Sequence, residues 1–182
     1  MPAETPLAAR RSRGQPISQG KQCIASGHGL HGGTAGVVAH LTVKCKDAQG
    51  NQRTKGDDVV LVSIQSEDGV GGTVDAHVVD NTDRTYTCTY LPTTATARAR
   101  VTITVNGTHI NGSPFFAQVE PGRTYAQSSE CYGRGLFDGM SGQLCRFHIQ
   151  TKDSYGNRCT TAGEKFMVCV KAVRSDYPRR WH

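Results

Sequence analysis

"GHGLHGGTAGVVAHLTVKCKDAQGNQRTKGDDVVLVSI" runs from Gly27 to Ile64, and its pattern returns 106 residues later as "GRGLFDGMSGQLCRFHIQTKDSYGNRCTTAGEKFMVCV", Gly133 to Val170. The two segments align without a gap. Eleven of their thirty-eight positions are identical, among them Gly27/Gly133, Gly29/Gly135, Gly36/Gly142, Lys46/Lys152, Asp47/Asp153 and Asn51/Asn157. Apolar character persists at Leu41/Phe147, Val43/Ile149, Val60/Phe166 and Ile64/Val170. A period near a hundred residues is a domain repeat and not a short solenoid unit.

Within the first unit, apolar residues alternate at period two, the spacing of a strand with one buried face. Leu41, Val43 and Cys45 are in phase, as are Val60, Val62 and Ile64; Val74, Ala76 and Val78; Tyr86, Cys88 and Tyr90; Val101, Ile103 and Val105; and Phe115, Ala117 and Val119. With a short strand near Cys23 these predict seven strands separated by turns, and no segment has helical period. The fold class that follows is all-β, an immunoglobulin-like seven-stranded β-sandwich with a second, incomplete repeat. Antibody-type domains bury a Trp against a disulfide that joins the two sheets. Trp181 lies outside the unit, and Cys45 and Cys88 fall on strands expected in one sheet, so that subclass is disfavoured.

The closing stretch, "VNGTHINGSPFFAQVE" (Val105–Glu120), carries two Asn-Gly pairs, each also an N-glycosylation pattern: Asn106-Gly107-Thr108 and Asn111-Gly112-Ser113. Asn-Gly is equally the strongest short signal for a two-residue hairpin turn. The N-terminus has no apolar stretch of signal-peptide type, so both pairs are read as folding signals.

These residues resemble the filamin-type (actin-binding-protein 280) immunoglobulin-like repeat. The motifs are "GHGLHGGTAG", "VKCKDAQGNQRTKGDD", "VVDNTDRTYTCTYLPT" and "VTITVNGTHINGSPFFAQV", in the order of that family over residues 23 to 120, whereas residues 131 to 173 match its first half only. The implied organisation is a basic arm (1–21), a first repeat (22–120), a linker (121–130), a partial second repeat (131–173) and a basic tail (174–182). Half a sandwich leaves Phe147, Ile149, Phe166 and Val168 without a facing sheet, which points to a fragment of a longer protein. The family usually has Gly where Arg84 stands, and a Gly and an aromatic before the sixth strand where this chain has Ala97 and Ala99.

Little else points to chemistry. His28 and His31 flank a Gly-rich turn with no second ligand pair, adjacent Asp57 and Asp58 face opposite sides of a strand, and Asp80 and Asp83 suit turn capping. "GHGLHGG" follows no strand and opens no helix, so it is no phosphate cradle. No catalytic constellation, metal site or cofactor is predicted. The net charge of +6 gathers at the ends, with Arg10, Arg11, Arg13 and Lys21 at one and Arg174, Arg179 and Arg180 at the other. Solvated ends account for it better than nucleic acid does. No apolar run has membrane-spanning length. The seven cysteines form no CxxC pair, and Cys45 and Cys88 are expected to be buried free thiols in a reducing compartment.

The resemblance implies a non-enzymatic module for protein interaction and spacing. Partners in that family add a β-strand beside the third strand, which here places the binding edge at Val59, Leu61, Ser63 and Gln65, facing Thr73, Asp75, His77 and Val79. The competing reading is an edge covered by neighbouring chain, in a repeat that serves as a spacer. The implied setting is a cytoplasmic, cytoskeletal scaffold, with actin reached through parts outside this chain. Two alternatives carry such repeats as well: the substrate-recognition segment of a tripartite-motif-type ubiquitin ligase, and an extracellular adhesion protein. Tandem units favour the scaffold over the first, and the missing signal peptide disfavours the second.

Overall fold

The computed structural model describes residues 18–52, 57–161 and 163–171. The arginines of the arm and tail, Trp181 and the Thr54 position of the repeat lie outside the described residues. Ten strands build the first unit: β1 Ile24–Ser26, β2 Gly32–Thr34, β3 Ala39–Lys44, β4 Val60–Ser66, β5 Thr73–Asp75, β6 His77–Asp80, β7 Thr85–Tyr90, β8 Thr96–Val105, β9 Thr108–His109 and β10 Phe115–Glu120. One sheet runs β1-β3-β7-β6 and the other β2-β10-β8-β4-β5, with β9 on β8. The pairings of the first unit are antiparallel except β2 with β10. This is the expected sandwich. The seven strands become ten because the first and fourth each break and change sheet, and a two-residue strand follows the Asn-Gly turn.

Burial follows the period-two reading. β3 and β4 alternate buried and exposed along their length. Leu41, Val43, Cys45, Tyr86, Cys88 and Tyr90 from one sheet face Val60, Val62, Ile64, Val101, Ile103 and Val105 from the other. Cys45 and Cys88 are buried and free, as the strand phase requires. The tyrosine hydroxyls at the edges of this core are satisfied: that of Tyr90 donates to the Gly29 carbonyl at 2.6 Å, and that of Tyr86 accepts the Asp58 N–H at 3.2 Å.

Burial raises the Cys88 thiol to about 11 from its ordinary 9.0. A raised folded-state pKa gives stability that is whole below pH 9 and is lost as the pH climbs toward 11, because only the unfolded thiol ionises freely there. Unfolding by urea at pH 7.5 and at about pH 10.5 is expected to show a loss of about 2 kcal/mol assignable to this group. Cys88→Ala should flatten that part of the slope, and an unchanged slope would contradict this assignment.

The turn signals also hold. Asn106 (φ 51) and Gly107 (φ 77) both take the left-handed conformation of a type I′ turn between β8 and β9. The Asn106 side-chain amide donates to Asp58 Oδ1 at 2.9 Å, so the nitrogen a glycan would occupy serves the fold. Arg84 does stand at positive φ (76), where an L-residue costs about 1 kcal/mol. Arg84→Gly is therefore expected to raise stability by about 0.5–1 kcal/mol in a urea titration. Near Ala97 the β8–β10 register shifts, with Ala117 opposite Ala99 but Val119 opposite Thr96, a bulge where the family's Gly and aromatic are missing.

Residues 18–21, expected in the arm, belong to the sandwich. Ser18 is buried and donates to Asp58, and the Gln19 N–H donates to the Lys46 carbonyl at 3.0 Å. The second unit keeps only a two-stranded sheet, β11 Glu130–Tyr132 with β12 His148–Gln150. The third strand expected around Phe166 and Val168 does not form, and both residues are exposed.

A candidate interaction edge on strand β4

Strand β4 is inner on one side and half-open on the other. Its whole length pairs with β8, from Val60 opposite Val105 to Ser66 opposite Ala99. On the far side β5 pairs only with Ser63, Ile64 and Gln65, through Asp75, Val74 and Thr73. At Ala76 the chain crosses over. The Ala76 N–H donates to the Val62 carbonyl at 2.9 Å, and β6 then joins the opposite sheet beside β7. The fourth strand thus covers the last half of β4 and leaves the first half.

The start of β4 is pinned by Asn106. Val59 and Asn106 exchange both backbone and side-chain bonds: the Asn106 N–H donates to the Val59 carbonyl at 2.8 Å, and the Val59 N–H donates to Asn106 Oδ1 at 3.0 Å. Both main-chain groups of Val59 are therefore spent toward β8. Antiparallel ladders alternate, so the N–H and C=O of Val60 point the other way, to the side that no strand of the described residues occupies. Val59 and Leu61 each expose 61% of their surface beside that gap. Exposed apolar side chains beside a stretch of strand that β5 leaves uncovered are the ingredients of strand addition.

The candidate residues therefore divide. Val59 and Leu61 border the open half, whereas Ser63 and Gln65 lie where β5 already pairs. Of the facing set, Thr73 and Asp75 are the residues that make this cover, and His77 and Val79 stand exposed on β6 in the opposite sheet. Asn106, read in the sequence as a turn residue, bonds the start of this edge. Its turn signal was legible, but its reach to a residue 47 positions earlier was not.

The acidic residues serve the backbone. Asp80 Oδ1 accepts the Thr82 N–H at 2.8 Å, Asp83 Oδ1 accepts the Thr85 N–H at 3.0 Å, and Asp58 binds Ser18 and Asn106. The His28 and His40 rings lie 6.1 Å apart, and the His31 N–H donates to the His28 carbonyl at 2.9 Å. Among the described residues no three His, Cys, Asp or Glu side chains come close enough to hold a metal ion.

Residues 18–116 match the Filamin/ABP280 repeat over their full run. The chain belongs to the filamin repeat family. It is 33% identical to the E3 ubiquitin-protein ligase TRIM45 of Homo sapiens over 98 residues, covering 54% of this chain and 17% of that protein. It is 34% identical to the E3 ubiquitin-protein ligase TRIM71 of Rattus norvegicus over 123 residues, covering 67% of this chain and 14% of that one. The chain thus spans less than a fifth of either ligase. Among solved structures, the Escherichia coli adhesin FdeC shares the fold, with a TM-score of 0.56 at 20% identity over 79% of this chain and 44% of that one. A filamin repeat is a protein-interaction module. No helix among the described residues is long and apolar enough to cross a membrane.

Proposed function

We propose that this filamin repeat binds an extended segment of a partner protein by strand addition to the open half of β4, with Val59 and Leu61 as the side chains that select it. The observation that carries this is the uncovered start of the strand: β4 is paired throughout on one side, whereas on the other β5 pairs with Ser63 to Gln65 and the Ala76 N–H reaches only as far as Val62. The bound segment would lie between Val60 and β6, with His77 and Val79 forming the far wall. Because the gap spans only the first residues of β4, the motif recognised is short, and an alternating apolar residue fits the Val59–Leu61 patch best.

The test selects extended peptides from a display library on the intact chain and maps them by amide chemical shifts. Val59→Lys with Leu61→Lys should weaken the selected peptides by about tenfold or more, since a desolvated charge opposes burial of the edge. Both side chains are exposed, so the melting temperature should hold. Undiminished affinity, or shifts located away from β4 and β6, would exclude the edge.

A second reading concerns the larger protein. The TRIM45 and TRIM71 likeness supports a substrate-recruiting repeat of a tripartite-motif-type ubiquitin ligase, and this setting is favoured over the actin-linked cytoskeletal scaffold, which rests on the family resemblance alone. In either setting the repeat supplies recognition and spacing. Chemistry would come from other parts of the protein.

A further inference from the structure

The second unit is attached to the first by more than its linker. Its "KDSYGN" loop, Lys152 to Asn157, turns around Asp153, which is fully buried. One carboxylate oxygen accepts the N–H groups of Tyr155 and Asn157, each at 2.9 Å, and the other accepts the Asn157 side-chain amide at 2.8 Å. The equivalent loop of the first repeat builds the same cage: Asp47 accepts the N–H groups of Gln49 and Asn51 at 2.9 Å and the Asn51 amide at 3.3 Å. The cage is therefore a local property of the Asp-x-x-Gly-Asn sequence.

What differs is where the loop reaches. Asn157 also crosses to the first repeat. Its Nδ2 donates to the Thr93 carbonyl at 2.8 Å, and its Oδ1 accepts the Ala95 N–H at 2.9 Å. The amide thus bridges a donor and an acceptor on one turn, the β7–β8 connection. Asp153 likewise accepts the Gly122 N–H at 2.8 Å, just beyond β10. Tyr155 completes the contact. Its ring edge lies 2.6 Å from where a β-carbon on Gly36 would stand, so a side chain there would displace the ring from its present seat. The receiving surface is itself braced, since the Gly36 N–H donates to the Pro92 carbonyl at 2.8 Å and the Ala35 N–H to the Glu120 carbonyl at 2.8 Å.

The geometry points to a docking surface on the first repeat, formed by Gly36 and the Thr93–Ala95 turn, whose occupant is the Asp-x-Tyr-Gly-Asn loop of the repeat that follows it. Docking fixes the direction in which the second unit leaves the first. The inference stands apart from the β4 edge, which lies on other strands. It also separates two roles for one motif: Asp153 holds the loop's shape, as Asp47 does, whereas Tyr155 and Asn157 make the joint. Gln49 occupies the Tyr155 position in the first repeat and has no aromatic ring to make such a contact.

Ala95 is the reporter, because its N–H belongs to the first repeat and its acceptor to the second. In the intact chain its amide should be protected from hydrogen exchange. In Asn157→Ala it should exchange about tenfold faster or more, while the Ile103 and Val101 amides keep their rates. Asn157→Ala also removes one bond of the cage, so Tyr155→Ala, which leaves the cage whole, must release Ala95 too. Asn51→Ala breaks the matching bond in the first repeat and should leave Ala95 unchanged. An unprotected Ala95 in the intact chain overturns the docking surface. So does release by Asn51→Ala, or indifference to Tyr155→Ala.

Discussion

Leu41→Ala should cost the first repeat about 3 kcal/mol, the usual range for deleting a buried leucine side chain in a core that cannot collapse around the space. Leu41 is 1% exposed and sits in the middle of β3, opposite Cys88 on β7. The facing sheet presents Val62, Ile103 and Val101, short branched side chains fixed on the paired strands β4 and β8, so none can move in to fill the gap. For a domain of this size the loss corresponds to a drop of about 15 °C in melting temperature. Leu41→Met conserves volume and should cost less than about 1.5 kcal/mol. Thermal and urea unfolding of the two variants decide it. A loss under about 1 kcal/mol for Leu41→Ala would mean that the two sheets do not close on this residue.

Gly27→Ala should cost a similar amount, about 3 kcal/mol, for a different reason. Gly27 lies at φ 122, outside the region open to L-residues, where the chain leaves β1 for the other sheet. An added β-carbon would stand 2.8 Å from the Leu41 α-carbon and 2.9 Å from the His40 carbonyl oxygen, both backbone atoms of β3 that cannot swing aside. The repeat supplies its own comparison. Gly133 has φ 129, and its β-carbon would meet the Phe147 α-carbon at 2.8 Å, the same collision 106 residues on. There the consequence should stay local, because Phe147 has no facing sheet and no cooperative core depends on it. The expected result is a large drop in the main unfolding transition for Gly27→Ala and almost none for Gly133→Ala. Equal drops would show that the two units unfold as one.

The collision also explains why these glycines coincide between the two units. A Gly-Gly identity in a self-alignment carries no meaning by itself. Here it marks the place where a tight turn presses on the backbone of the next strand, and the demand is the same in both units. The Asp47/Asp153 and Asn51/Asn157 identities have the same kind of cause, a carboxylate cage that closes a loop from within.

Strand phase, the repeat, the Asn-Gly hairpin and the unusual φ at Arg84 were all legible in the sequence. Each depends on neighbours a few residues away: alternation sorts side chains onto two faces, and turn geometry is set by one or two residues. The family followed from the order of such local features. Three outcomes were decided only in the folded chain. The fourth strand breaks at Ala76, so β5 covers Ser63 to Gln65 and Val59 and Leu61 border the open part of β4. Asn106, read as a turn residue, reaches back to Val59 and sets where that edge begins. Asn157 spends its amide on a turn 64 residues earlier, whereas its counterpart Asn51 bonds its own loop. Period and turn chemistry say which face a residue shows. They do not say which distant backbone group will lie opposite it, because that depends on how the two sheets stack and where the chain crosses between them.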